Sequence, residues 1–97
     1  MVTRIVKMTF KEECCEEFLA VFHKYKAHIR NAEGCAHLDL LRQAGDGAIF
    51  FTYSKWEHPD YLEKYRKSPI FAEVWPQTKA LFAAPAEAWT VDTLVSL

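Results

Sequence analysis

The sequence is short of nearly everything that marks a specialised chain. Of its 97 residues only three are cysteine, three glycine and four proline, and 12 basic residues are offset by 13 acidic ones. Without a basic stripe there is nothing to release counterions from a phosphate backbone, so no nucleic-acid partner is expected. Cys14, Cys15 and Cys35 are odd in number, two of them are adjacent, and no C-x-x-C pair occurs. That pattern supports neither a disulfide framework nor a zinc ribbon, and suits a reducing cytoplasm. No apolar run has the length of a membrane span, and the N-terminus alternates where a signal peptide would be continuously apolar, so neither membrane nor export is expected. Repeats, low-complexity tracts and linkers are missing too, and residues 1–97 are read as one domain.

Against these absences stand 51% apolar and 14% aromatic residues, enough for one packed core. Between Val2 and Phe10 the chain alternates. Val2, Arg4, Val6, Met8 and Phe10 share one side, and Thr3, Ile5, Lys7 and Thr9 the other, which predicts a strand. From about Glu12 to Asn31, Cys15, Phe18, Leu19, Phe22 and Ile29 fall on one helical stripe. Glutamates crowd its first turns and Lys24, Lys26 and Arg30 its last, as the helix dipole favours, and Gly34 follows near its end. Strands over Cys35 to Gln43 and Ala48 to Trp56 flank the hairpin signal Ala44-Gly45-Asp46-Gly47. Pro59 opens a short helix to Lys67, and Ser68-Pro69 opens another to Phe82, with a kink or break expected at Pro76. Glu87 to Val95 alternates again and predicts a fourth strand.

The order strand, helix, strand, strand, helices, strand gives an α+β fold of ferredoxin-like βαββαβ type, with a four-stranded antiparallel sheet. Helices cover only one of its faces. The other face would expose either Val2, Val6, Met8 and Phe10 or Ile49, Phe51 and Tyr53, a larger apolar patch than monomers usually carry. A homodimer stacking two such sheets removes it. At about 25 cal/mol per Å², several hundred Å² per subunit is worth on the order of 10 kcal/mol before association costs.

Three stretches carry a family likeness. Arg4-Ile5-Val6-Lys7-Met8-Thr9-Phe10-Lys11 is similar to a first strand running into its helix, and Glu33-Gly34-Cys35 to a Gly-Cys lead-in to the second strand. Phe51-Thr52-Tyr53-Ser54-Lys55-Trp56, with Tyr61-Leu62-Glu63-Lys64-Tyr65 and Ser68-Pro69-Ile70-Phe71, is similar to a third strand, a short helix and the next helix start. In this order and spacing the chain resembles the antibiotic biosynthesis monooxygenase family. The resemblance implies a dimeric α+β barrel with a pocket between helices and sheet in each subunit. It implies oxygenation of a small aromatic or quinol-like substrate without metal or flavin, the deprotonated substrate itself reducing O2. The chain departs from the family where Ser54 stands for a frequent Glu and Tyr65 for a frequent His. Haem-degrading members carry an axial His about where Trp75 falls and an Asn near Ile5. Indole offers iron no free lone pair, which argues against haem chemistry.

The candidate site residues follow. Tyr53, Tyr65 and Trp75 are the first choices to shape the pocket, with Phe51 and Phe71 beside them, each alternatively a core aromatic. Tyr65 and, more weakly, His37 are the candidates for proton handling, although a mid-strand histidine is more often exposed or structurally bonded. His23 and His28 are five apart and miss the spacing for a shared metal, so no metal site is expected, and the resemblance implies that no cofactor is needed. Cys15 reads as core, and Arg42 and Arg66 as solvated charge that is able to bind an anion. Two other readings stay open: a small-ligand-binding module without catalysis, and an isomerase-type enzyme on a small metabolite.

Overall fold

Alternation in the sequence becomes pairing in the sheet. In the computed structural model, which describes Met1–Leu97, β1 (Val2–Thr9) leads through a 3-10 turn at Glu12–Cys14 into α1 (Cys15–Arg30). The hairpin β2 (Cys35–Arg42) and β3 (Ile49–Trp56) follows, then α2 (Pro59–Arg66), α3 (Pro69–Lys79) and β4 (Glu87–Asp92). The four strands form one sheet of order β2-β3-β1-β4, every neighbour antiparallel, so β1 and β3 hold the centre. This is the ferredoxin-like α+β arrangement.

Local chemistry sets the element ends. His58 caps α2 by accepting from the Asp60 N–H at 3.1 Å, and Ser68 caps α3 by accepting from the Phe71 N–H at 3.3 Å, each followed by a proline in the first turn. Gly34 takes φ +80 just beyond α1, and a Cβ there would run into the Tyr61 ring. The expected break at Pro76 does not occur, and α3 continues to Lys79. The proline removes the donor for the carbonyl of Ala72, but Ala72 is exposed and water is available to that carbonyl. β4 stops at Asp92, short of the expected Val95, because Asp92 pairs with Val2, where β1 begins.

The helices cover the face that carries Val2, Arg4, Val6, Met8, Phe50, Ser54 and Trp56. Its apolar core is divided in two. One cluster gathers Met8, Phe10, Cys15, Phe18, Phe50 and Leu81; the other gathers Val2, Cys35, Trp56 and Leu62. Phe10, Phe50 and Trp56 are almost completely buried, and these three large rings decide which face turns inward. Tyr25 ties α1 to α3 by donating to Glu73 Oε1 at 3.1 Å and accepting from Gln77 Nε2 at 3.2 Å. The opposite sheet face has no cover within the chain. Leu41, Trp89 and Val91 are exposed on it, beside half-buried Ile5, Phe51 and Tyr53.

Candidate functional site

Between the two core clusters lies a cavity of about 340 Å³, a size suited to a small organic ligand. Its floor is two rows of the sheet, read across paired strands. Leu38, Ser54 and Arg4 stand in the first row, with Thr90 next to Arg4; Thr52, Val6 and Ala88 stand in the second. Alternation alone puts all of them on the helix side. The walls come from Phe18, Phe22 and Ile29 of α1, Leu62, Tyr65 and Arg66 of α2, and Phe71, Val74, Trp75 and Thr78 of α3.

Aromatic rings run round this cavity in contact with one another. Trp56 stacks on Tyr65 with centroids 5.2 Å apart, and Tyr65 meets Phe71 edge-on at 5.4 Å. Phe71 stacks on Trp75 at 5.7 Å, and Trp75 meets Phe82 at 5.7 Å. Such a wall offers flat apolar faces to a planar ligand.

Few polar groups reach the cavity. The Trp56 indole donates to Ser54 Oγ at 3.0 Å, which fixes the hydroxyl and leaves its proton to donate elsewhere. Arg4 donates to Thr90 Oγ1 at 2.9 Å. Burial, and next the like charge of Arg66, pull the Arg4 guanidinium below its ordinary pKa, while Glu63 works the other way. Tyr65 makes no side-chain hydrogen bond, and burial, helped by nearby Cys35, pushes its phenol up to about 12. A phenol so raised is a donor at neutral pH and not a base. No carboxylate, imidazole or thiol lines the cavity.

The structure brings Tyr65, Phe71 and Trp75 together at the cavity, and it leaves the other three sequence candidates outside. Phe51, Tyr53 and His37 have the opposite parity to Ser54 and Leu38 and lie on the uncovered sheet face. There the His37 ring meets Tyr53 edge-on at 6.3 Å, and its Nε2 lies 2.9 Å from Asp39 Oδ2. Once Phe50 and Trp56 turn inward, strand geometry sends Phe51 and Tyr53 outward. Arg4 is the charged lining residue that sequence reasoning missed. Its signal was present, since it is the one charge on a strand face otherwise made of Val2, Val6, Met8 and Phe10.

The antibiotic biosynthesis monooxygenase family model matches residues 1–75. No curated protein matches the chain in sequence. Among solved structures, one described as an antibiotic biosynthesis monooxygenase superposes with a TM-score of 0.91 at 18% identity, covering 98% of this chain and 100% of its own. Rv0793 from Mycobacterium tuberculosis gives 0.88 at 20% identity over 98% of this chain and 96% of its own. A conserved protein from Methanosarcina mazei Go1 gives 0.87 at 20% identity, covering 94% and 91%.

Proposed function

The chain belongs to the antibiotic biosynthesis monooxygenase family, and from that premise we propose a cofactor-independent monooxygenase acting on a small aromatic or quinol-like substrate in the cavity. The observation that carries this reading is an aromatic-walled cavity of about 340 Å³ with a protonated Tyr65 among its few polar groups. The substrate ring lies against Phe71 and Trp75, and the Tyr65 hydroxyl donates to the oxygen that becomes an oxyanion. With no base on the wall, the substrate is one acidic enough to lose its proton to water. The ionised substrate passes one electron to O2, and the resulting radical and superoxide join as a peroxide anion, which takes back a proton from water to become the hydroperoxide. Loss of water then leaves a carbonyl, so that CH2 plus O2 becomes C=O plus H2O.

The working unit in this reading is a homodimer of single domains, residues 1–97, joined through the uncovered sheet face. Exposed Leu41, Trp89 and Val91 support that role. A cytoplasmic setting fits the three free cysteines, and no helix is long and apolar enough to cross a membrane.

Oxygen uptake by the pure protein with a panel of anthrone- and quinol-type compounds tests the activity. Uptake above the buffer and boiled-protein controls is expected; none across the panel would overturn it. One observation favours a second reading, a binding module without catalysis. Ser54 and Tyr65, the positions where the family frequently carries Glu and His, both line the cavity and supply no base. Turnover gained by Ser54→Glu with Tyr65→His, from a parent that binds the same compound without consuming O2, would decide for that second reading.

A further inference from the structure

One positive charge on the cavity wall has no carboxylate partner. Arg4 and Arg66 are the only charged residues on its wall, and no aspartate or glutamate lines it. Arg4 rises from the middle of the floor, between Ser54 on one neighbouring strand and Thr90 on the other. It enters no ion pair, and its one hydrogen bond uses a single N–H, to Thr90. Arg66 approaches from the last turn of α2 with one nitrogen on Glu63 Oε1 at 2.9 Å. The two guanidiniums are near enough for the charge of Arg66 to act on Arg4.

Glu63 answers the charge of Arg66 from outside the cavity, and the half-buried guanidinium of Arg4 is left for an anion to answer from within it. Each fork keeps free N–H donors in a plane, the geometry that a carboxylate accepts in bidentate fashion. Ser54 adds a hydroxyl at the position paired with Arg4, and Thr52 another on the same floor.

We propose that the substrate is an aromatic acid whose carboxylate is clamped by Arg4 and Arg66 while its ring lies against Tyr65, Phe71 and Trp75. This rests on the cavity being the substrate site and adds to it the chemical class of what binds there. The two arginines are positioning residues. They fix which end of the ring enters, and they select charged aromatics over neutral ones of equal size.

Titration calorimetry of the full chain with a hydroxynaphthoate and with naphthol, its counterpart lacking the carboxylate, tests the class directly. The acid should bind about tenfold or more tightly at low salt, with the preference shrinking as salt screens it. Arg66→Met should bring the acid close to the naphthol affinity. Arg4→Lys, which keeps the charge but loses the fork, should lower it severalfold, with circular dichroism reporting that each variant is folded. Equal binding of both compounds would overturn the carboxylate clamp and leave the cavity reading standing. A preference that survives in both variants would mean that the anion sits elsewhere, and would overturn the clamp too. Binding of neither compound would overturn clamp and cavity reading together.

Discussion

Tyr65 carries a phenol that the fold holds protonated, and this couples one residue to the stability of the whole. Burial raises its pKa from 10.0 to about 12, so between those values the unfolded chain has lost a proton that the folded chain keeps. Stability is therefore full below pH 10 and falls as pH rises toward 12, by at most about 2–3 kcal/mol at 1.36 kcal/mol per unit. Urea denaturation at pH 9 and at pH 11.5 should show a larger loss in the wild type than in Tyr65→Phe; equal losses would contradict the buried phenol. At this scale the sequence was only partly legible. Tyr65, Phe71 and Trp75 lie on helices that had to cover the sheet, and they do line the cavity. His37, Phe51 and Tyr53 are strand residues, and a strand's parity is known long before it is known which side faces inward. Phe50 and Trp56 settle that by bulk, and neither carries a functional signal. Arg4 was visible as a charge out of place, yet only the folded chain reveals that Thr90 bonds it and that Arg66 lines the same cavity.

Elements were the most legible level because their limits are set by chemistry close in sequence. Ser68 is the plainest case. Its hydroxyl accepts from the Phe71 N–H at the start of α3 and donates to the Tyr65 carbonyl at 2.6 Å, tying the end of α2 to the next helix. Ser68→Ala should lower the unfolding free energy by about 1 kcal/mol, and Ser68→Asp, which keeps the acceptor, should lose less. A urea midpoint unchanged in Ser68→Ala would contradict the cap. Where the expected limits moved, tertiary partners moved them. β4 ends where β1 offers no further partner, and α3 passes Pro76 because the carbonyl left without a donor belongs to an exposed residue. Neither partner can be read from the segment itself.

For the whole molecule, the sheet divides two tasks between its faces. The covered face holds the cavity, floored by small and polar residues where the two core clusters part. The uncovered face carries Ile5, Phe51 and Tyr53 with exposed Leu41, Trp89 and Val91, and in the proposed dimer it would meet another copy. Sedimentation velocity should show a dimer for the wild type and mostly monomer for Trp89→Lys, since an ammonium buried without a partner strongly opposes association. A wild-type monomer would contradict the stacked-sheet reading. The central claim is that an aromatic ligand enters beneath the helices. The three tryptophans report on it separately, because Trp56 and Trp75 line the cavity and Trp89 stands on the opposite face. The most direct measurement is the indole N–H resonances of isotopically labelled protein titrated with the hydroxynaphthoate. The signals of Trp56 and Trp75 should shift together to saturation while that of Trp89 stays in place. A shift at Trp89 alone, or none at any of the three, would contradict the account.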